Sequence, residues 1–386
     1  MTVISRRKFV LGSASLLAAT HGMKAFAAGS GAGELLLIGT QTTGASKGIY
    51  AYQFDAATGE LKQLGLAAEA NMPTFLALAP DGKNVFAVNE IEEFQGKKSG
   101  GVSSFVLDRK TEKLTAVNQV LSRGPGPCHI AVDHTGRCVF AANYSGGSAA
   151  SYRVDANGHL SEAVSFFQYT GTGPDKARQE APHAHRVTVS PDNRFVMVND
   201  LGLDLIHIYR LNASTGALTA NDPAAWKATP GSGPRALQFH PNGKWAYCVT
   251  EMKSTVNVLY WHASSGALET VQEVPMSPEG YSGDTAGADI VFDREGRFAY
   301  VANRLNDFIA TFSVSPTDGK LTLLGRSSCG GKTPRHLALD KSGRWLLVAN
   351  QVTDNVAVFA RDEHTGRISK DGKSFPLSHP QCILFT

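Results

Sequence analysis

Six stretches of the chain repeat one order of apolar and polar positions. Each has an opening motif, a short apolar run, a polar turn, a second apolar run and then a polar residue after Asn or Thr. The six stretches are residues 73–91, 127–144, 183–200, 234–251, 287–304 and 334–351. Apolar runs of about five residues separated by Gly- or Asn-containing turns predict β-strands joined in hairpins. A repeat of this length is typical of propellers, solenoids and arrays.

Each repeat predicts four strands. In the repeat that starts at Pro234, they cover residues 236–239, 245–249, 255–261 and 269–274. The Asn242-Gly243 pair suits the tight turn between the first two strands. A second Gly turn, between strands three and four, recurs at residues 57–60, 214–217, 264–267, 317–320 and 364–367. The pattern therefore predicts an all-β protein.

The repeats start 46 to 55 residues apart, at Pro73, Pro127, Pro182, Pro234, Gly287, Pro334 and Pro380. Four strands at this spacing are typical of propeller blades. Residues 380–385 have the form of a first strand only, whereas residues 35–40 look like a second strand, followed by strands at 49–54 and 63–67. We therefore predict a seven-bladed β-propeller with four-stranded blades. The N- and C-terminal strands pair in one blade, which closes the ring and removes its open edges.

The repeat also indicates where function lies. The first strand of a propeller blade lines the central channel, and the loop before it opens on the same face as the loop after the second strand. Residues at these two points therefore converge around the axis. The loops before the first strands carry Thr74, Cys128, His129, His183, His185, Arg186, Arg235, Asp289, Arg335, His336 and Gln381. The loops after the second strands carry Gln41, Glu90, Tyr144, Asp200, Glu251, Arg304 and Gln351.

These two rings collect histidines, arginines and acids that core packing does not explain. Charges near an axis are costly unless they are paired or used. A solvated loop position or a structural ion pair is the alternative for any single residue, but both rings show the same enrichment. We therefore expect a functional site on this face.

His183 and His185 lie two apart on a segment predicted to be extended, which would direct both imidazoles to one side. They could form a metal pair, an acid–base or substrate-binding pair, or one functional and one structural histidine. Asp200, Asp289 and Glu251 could be further ligands, but no clear third and fourth ligand presents itself, so we expect no metal and no other cofactor. There is no GxSxG, Walker or dinucleotide-binding motif, and no cysteine has an evident His or Asn partner. Acyl-enzyme chemistry and nucleotide binding therefore lack support.

Residues 1–27 indicate a targeting segment. The run from Ser5 through Arg6, Arg7 and Lys8 leads into a short apolar stretch, and residues 25–27 give the small-x-small pattern of a cleavage site. Paired arginines followed by Lys-Phe resemble a twin-arginine export signal, with an ordinary secretory signal as the alternative. We expect cleavage after Ala27, a periplasmic location and a single propeller domain over residues 28–386.

Removing residues 1–27 changes the charge balance. Lys plus Arg falls from 37 to 33, against 34 acidic residues, so the mature chain is close to neutral. This balance gives no support for nucleic-acid or membrane binding. We expect a monomer whose partner is a small molecule. The five cysteines are odd in number and form no CxxC motif, so we predict that they are small buried core residues.

Several of these stretches resemble the lactonase family of seven-bladed propellers, which includes bacterial 6-phosphogluconolactonase and a fungal carboxy-muconate lactonising enzyme. The resemblance covers essentially all of the mature chain. The stretches that carry it are residues 181–185 (APHAH), 190–192, 200–204 (DLGLD), 233–235 (GPR) with Glu251, and 334–336. The strand endings FAVN, FAAN, YVAN and LVAN also resemble the YVTN repeats of surface proteins that are not evidently enzymes.

The resemblance implies an active site of His185, Arg235 and Glu251, with Arg335 as a further arginine. His183, His129, His336, Asp200 and Arg186 are expected to assist substrate binding. The chain departs from the family pattern at Ala236, where the family usually has His after GPR, and at residues 287–289 (GAD), which lack the Pro and basic residue of the other repeats. These departures could alter substrate orientation.

These residues suit lactone hydrolysis. Either Glu251 or His185 could be the general base, and the arginines could stabilise an oxyanion or hold a carboxylate or phosphate. The leading hypothesis is an exported hydrolase of a sugar-acid lactone. Export argues for a lactone without phosphate, because 6-phosphogluconolactone is made in the cytosol. The alternatives are a non-catalytic binding propeller of the YVTN type and a muconate-type cycloisomerase.

Overall fold

The computed structural model describes residues 33–386, which form seven antiparallel sheets of four strands each. The predicted all-β seven-bladed propeller is confirmed. The predicted signal segment at residues 1–27 lies outside the described residues. Residues 33–386 contain no helix of the length and apolarity needed to cross a membrane.

The blades are numbered by position along the chain, and their strands are given in sequence order. Blade 1 contains β1 (Glu34–Thr40), β2 (Gly48–Asp55) and β3 (Glu60–Glu69). Blade 2 contains β4 (Leu76–Leu78), β5 (Asn84–Asn89), β6 (Gly101–Asp108) and β7 (Lys113–Leu121). Blade 3 contains β8 (Pro127–Val132), β9 (Cys138–Asn143), β10 (Ser148–Arg153) and β11 (Ser165–Gln168). Blade 4 contains β12 (Ala184–Val189), β13 (Phe195–Asp200), β14 (Leu205–Asn212) and β15 (Ala217–Lys227).

The remaining blades follow the same order. Blade 5 contains β16 (Pro234–Phe239), β17 (Trp245–Thr250), β18 (Thr255–His262) and β19 (Ala267–Pro275). Blade 6 contains β20 (Gly287–Phe292), β21 (Phe298–Asn303), β22 (Phe308–Val314) and β23 (Leu321–Ser328). Blade 7 contains β24 (Pro334–Leu339), β25 (Trp345–Asn350), β26 (Asn355–Ala360) and β27 (Lys373–Pro376), and β28 (Pro380–Phe385) ends the chain.

The ring closes between the two ends of the described chain. β28 is the innermost strand of blade 1, where it pairs antiparallel with β1 from Leu36–Phe385 to Thr40–Pro380. Blade 1 is therefore completed to four strands, and the ring has no gap between its first and last blades. The predicted closure is confirmed.

Apolar side chains from facing sheets fill the spaces between neighbouring blades in seven clusters. The turn between strands three and four also packs on the preceding blade. Gly319 of blade 6 lies on the ring of Trp245 in blade 5, and Gly366 of blade 7 lies on Phe298 in blade 6. Both glycines have a φ of +71°, and a Cβ would lie within 2.6 Å of the ring. This contact explains why Gly recurs in that turn.

All five cysteines are free and buried, which confirms their expected role as core residues.

Candidate active site

A recurring backbone hydrogen bond ties the two predicted rings together. In each blade, the N–H of the residue just after the second strand donates to the carbonyl just before the innermost strand. The Glu251 N–H donates to the Gly233 carbonyl at 2.8 Å, and Tyr144 and Arg304 bond to Gly126 and Ala286 in the same way. Both loops therefore open on one face, as the sequence predicts.

In most innermost strands, a β-bulge at the second residue sets the direction of that residue's side chain. The pairing register shifts at the start of β8, β12, β16 and β24, and the bulges leave Cys128, His185, Arg235 and Arg335 out of the ladder. A bulge adds a residue without continuing the strand alternation and often lies beside an active site. The bulged residues form a first layer below the face, and the next residues form a second layer, which contains Phe75, His129, Arg186, Ala236, Asp289 and His336.

Glu251 is the centre of a buried ion cluster. Its Oε2 accepts from Arg235 Nε at 3.0 Å and forms an ion pair with Arg304 Nη2 at 2.6 Å, and its Oε1 accepts from Arg178 Nη2 at 2.5 Å. Arg235 is fixed further by a hydrogen bond from its Nη1 to the Ala288 carbonyl. The Glu251 side chain is 5% exposed, so one buried carboxylate supplies charge to three guanidinium groups.

The cluster holds Glu251 in its charged form. Burial by itself would raise the pKa of Glu251, but Arg304, Arg235 and Arg178 outweigh burial and lower the pKa to about 2. Burial and the neighbouring Arg304 lower the pKa of Arg235 to about 9, so this guanidinium still carries its charge at neutral pH. A carboxylate so strongly stabilised is a weak proton acceptor.

His185 is in the opposite situation. Its ring contacts Tyr144 edge-on, with centroids 5.7 Å apart, and neither ring nitrogen is hydrogen-bonded to another residue in the described part of the chain. Burial, followed by the positive charges of Arg235, Arg335 and Arg304, lowers the pKa of His185 well below 6.5. His185 is therefore a neutral imidazole with a free acceptor nitrogen.

The cavity above the first layer has a volume of about 200 Å³. Its lining residues come from several blades and are Glu90, Cys128, Tyr144, Arg178, His185, Glu251, Arg304 and Arg335. With Arg235 beside it, the site holds four guanidinium groups and two carboxylates, an excess of two positive charges when His185 is neutral. Glu90 Oε2 and Arg304 Nε are buried and have no partner among residues 33–386. The arrangement suits a small polar anion.

Cys128 lies at the bottom of this cavity but is not suited to nucleophilic attack. Its thiol is directed at the His185 carbonyl at 3.2 Å, and burial raises the pKa of the thiol further above its ordinary value. The thiolate needed for nucleophilic chemistry is therefore suppressed. Its contact instead helps to fix the bulge that carries His185.

Arg178 was missed by the sequence analysis. It lies in the connection between β11 and β12, residues 169–183, which is the longest of the segments that join consecutive blades. Gln179 anchors this connection: it is fully buried and donates to the Leu201 carbonyl at 2.8 Å and to Asp204 Oδ1 at 2.9 Å. Because the segment belongs to no repeat, alignment of the repeats could not find it. Only its unusual length was visible in the sequence.

Asp200 has a different place from the one predicted. β13 ends at Asp200, so this residue corresponds to the Asn or Thr of the other repeats, and Leu201 follows the strand and bonds to the His183 carbonyl. The Oδ1 atom of Asp200 accepts from the backbone N–H groups of His183, Gly202 and Leu203 at 2.9–3.1 Å. Asp200 therefore holds the turn and does not line the cavity.

Asp204 explains the other end of the DLGLD stretch. Besides Gln179, it accepts from the N–H groups of Gly231 and Gly233 at 2.7 and 2.8 Å. Gly233 precedes the strand that carries Arg235, and Gln179 follows Arg178 directly. One buried carboxylate thus sets the spacing between two arginines of the cluster.

His183 does not share the environment of His185. Its Nδ1 lies 3.1 Å from the Tyr144 carbonyl, its Nε2 lies 3.3 Å from Glu180 Oε1, and its ring stacks on Tyr144. It does not line the cavity. The two histidines are therefore not a pair, because the bulge at His185 breaks the strand alternation on which that expectation was based.

His129, Arg186 and His336 belong to the second layer, below the cavity. Arg186 Nη1 donates to Asp289 Oδ1 at 2.7 Å, and His336 Nε2 lies 3.7 Å from Asp289 Oδ2. These side chains line a narrow space of about 20 Å³ that also touches His185 and Arg235, a volume sufficient for about one water molecule. Their contacts are those of a support beneath the cavity rather than of its wall.

Arg304 and Arg335 lie on different sides of the cavity. Arg304 contacts Glu251 directly, whereas Arg335 Nη2 lies 3.8 Å from Glu90 Oε1. The aligned repeats contained the signal, because Arg304 follows its second strand just as Glu251 does.

Among residues 33–386, no three His, Cys, Asp or Glu side chains are arranged to hold a metal ion.

The fold and this site together define a class: a seven-bladed propeller with a polar, arginine-rich cavity at one mouth of its channel. Residues 35–385 match the family described as Lactonase, 7-bladed beta-propeller. The chain belongs to this family and is an enzyme of the lactonase class.

Two curated relatives are named 6-phosphogluconolactonase. The protein of Bacillus subtilis is 36% identical over 298 residues, which cover 77% of this chain and 82% of the relative. That of Formosa agariphila is 32% identical over 295 residues, covering 76% and 82%. A solved structure of the periplasmic gluconolactonase of Pseudomonas aeruginosa superimposes with a TM-score of 0.86 at 35% identity, covering 91% of this chain and 98% of the other.

Proposed function

We propose that the mature protein is a periplasmic, monomeric hydrolase of a sugar-acid lactone, with His185 as general base. The observation that carries the proposal is the neutral, unbonded imidazole of His185 beside a cavity with excess positive charge. The names of the relatives, 6-phosphogluconolactonase and gluconolactonase, support the substrate class.

His185 is a better base than Glu251. A general base must accept a proton in the transition state, and a carboxylate bound by three arginines accepts one poorly. The role of Glu251 is to hold Arg235 and Arg304 in place. Once a substrate anion offsets the arginine charges, the pKa of His185 moves back toward its ordinary value, and its basicity rises in the complex.

The reaction then needs no covalent intermediate. His185 takes a proton from water while the water oxygen attacks the lactone carbonyl, and the oxyanion is stabilised by arginines of the cavity wall, for which Arg304 and Arg335 are suited. The C–O bond of the ring breaks, and the ring oxygen takes the proton back from His185. The product is a hydroxy acid, which loses its acidic proton to solvent.

A lactone panel tests the proposal. Purified mature protein should open one or more sugar-acid lactones well above the spontaneous rate, measured as acid release at constant pH. The panel should include glucono-δ-lactone, its 6-phosphate, aldarate lactones and aromatic lactones, each with and without a chelator. The proposal would be refuted if the protein opened none of these lactones faster than the spontaneous rate. Ring closure of a muconate without lactone opening would favour the cycloisomerase.

Export is proposed on the basis of residues 1–27 and is consistent with the periplasmic relative. Replacing both Arg6 and Arg7 with Lys should retain the protein in the cytoplasm as an unprocessed precursor, since paired arginines define the twin-arginine signal. The measurement is cell fractionation followed by mass determination of the purified chain. The matched control is replacement of Lys8 with Arg, which keeps the pair. Normal export of the double-Lys variant would contradict the assignment.

A further inference from the structure

Arg178 differs from the other two arginines that contact Glu251. Arg235 and Arg304 project from the blades, and their side chains are 5% and 17% exposed, whereas Arg178 projects from the long connection and is 45% exposed. Arg178 is therefore the member of the cluster that a molecule entering from solvent meets first.

Its contacts are also the easiest to exchange. Apart from the 2.5 Å bond to Glu251 Oε1, the one hydrogen bond of its guanidinium within residues 33–386 is a long contact of 3.5 Å to the Tyr144 hydroxyl. Arg235, by comparison, bonds to Glu251 Oε2 and to the Ala288 carbonyl, and its own side chain is only 5% exposed. A guanidinium has five donors, so Arg178 has unused capacity for an incoming anion.

The backbone that carries Arg178 is nevertheless fixed. Gln179 N–H donates to the Asp175 carbonyl at 2.7 Å, the Gly173 N–H donates to the Gln179 carbonyl at 2.9 Å, and the Gln179 side chain is bonded to Asp204. Only the Arg178 side chain needs to turn. A fixed backbone with a half-exposed charged side chain is suited to selecting a ligand, because little backbone order is lost on binding.

We propose that Arg178 is a specificity-determining residue that binds a second anionic group of the substrate, at the end of the molecule remote from the lactone carbonyl, and leaves Glu251 Oε1 as it does so. This inference rests on the proposed function and narrows its substrate to lactones carrying a phosphate or a second carboxylate. The carbonyl lies deep in the cavity beside His185, and the anion lies at the rim.

The exchange has a consequence inside the site. Arg178 is one of three groups that lower the pKa of Glu251, so its departure raises that pKa while Arg235 and Arg304 remain in contact. The freed Oε1 then faces the cavity and accepts a hydrogen bond from a substrate hydroxyl. Binding of the remote anion and recognition of the sugar hydroxyls are thereby coupled, so a neutral lactone leaves Glu251 Oε1 occupied.

Equilibrium binding of three open-chain acids tests the inference without turnover. Gluconate, glucarate and 6-phosphogluconate share a C1 carboxylate and differ at C6, which carries a hydroxyl, a carboxylate and a phosphate respectively. By calorimetry, wild type should bind at least one C6 anion about 10- to 100-fold more tightly than gluconate, the range expected for a charge-assisted hydrogen bond. Comparison of glucarate with 6-phosphogluconate shows whether the preferred C6 group is a carboxylate or a phosphate.

Arg178→Gln should remove that preference, so that glucarate and 6-phosphogluconate bind within about twofold of gluconate, whereas Arg178→Lys should retain part of the preference because the charge remains. The matched control is Arg194→Gln, an arginine that is 55% exposed and paired with Asp192 at 2.7 Å in the turn between β12 and β13. It should behave as wild type.

Three outcomes would overturn the inference: no C6 preference in wild type, equal weakening of all three acids in Arg178→Gln, or no measurable binding of any acid. If the C6 preference exists and depends on Arg178 while no lactone is opened, the proposed function fails and the recognition role of Arg178 stands. If lactones are opened without a C6 preference, the proposed function stands and the recognition role of Arg178 fails.

Discussion

His185→Asn should reduce kcat for lactone opening by about 10²- to 10⁴-fold, the range in which general base catalysis contributes. Asn keeps the approximate size and polarity of the side chain but cannot take a proton at neutral pH. Because His185 lacks a hydrogen bond to any other described residue, the substitution should leave the free energy of unfolding nearly unchanged. The measurement combines initial rates with chemical denaturation.

The pH profile gives a second test of the same residue. Burial and the neighbouring arginines lower the pKa of His185, so the neutral form persists below pH 6.5, and the acid limb of kcat/KM should lie below that value. With an anionic lactone, the acid limb of kcat should lie at higher pH, since the bound anion offsets the arginine charges. His262→Asn is the matched control, because His262 is paired with Glu269 on the surface. An acid limb of kcat/KM at pH 7 or above, or a fully active His185→Asn variant, would rule out this base.

Glu251→Gln should destabilise the free protein by about 3–5 kcal/mol, the usual cost of removing one partner from a buried ion cluster. The amide keeps the shape but leaves Arg235 and Arg304 without a counter-charge. Arg178 adds little to this figure, because its side chain is 45% exposed and its charge is screened by solvent. Urea denaturation at neutral pH measures the difference.

The direction of the pH dependence follows from the lowered pKa of Glu251. A carboxyl whose pKa falls to about 2 on folding stabilises the protein above its unfolded pKa of about 4.5, and that stabilisation is lost as the pH falls toward 2. The difference in the free energy of unfolding between wild type and Glu251→Gln should therefore be constant near neutral pH and should disappear only in strong acid. An added oxyanion should stabilise the variant more than wild type.

Glu269→Gln is the control for this variant, since Glu269 is 68% exposed. This substitution should lower the free energy of unfolding by less than about 1 kcal/mol. Equal stability of Glu251→Gln and wild type would show that the cluster is not held by its carboxylate.

The repeats predicted that His185, Arg235, Glu251 and Arg335 converge, and they lie in or beside one cavity because each occupies a fixed position of a repeat. The repeats also assigned His129, Arg186 and His336 to this ring, whereas these residues lie in the layer below. One residue separates the two layers, and the bulges that distinguish them leave no mark in the pattern of apolar and polar residues. Asp200 shows the same limit, since an alignment shifted by one residue moved a turn-forming carboxylate into the predicted site.

By itself, the sequence determined the seven blades, the closure by residues 380–385 and the face on which the site lies. These features depend on apolar periodicity and turn residues, which are local and repeat along the chain. Only the tertiary structure decided that Glu251 is surrounded by arginines, that His185 is neutral and unbonded, and that Arg178 reaches the site. These properties depend on distances between blades far apart in sequence, where charge, burial and hydrogen bonding act through space.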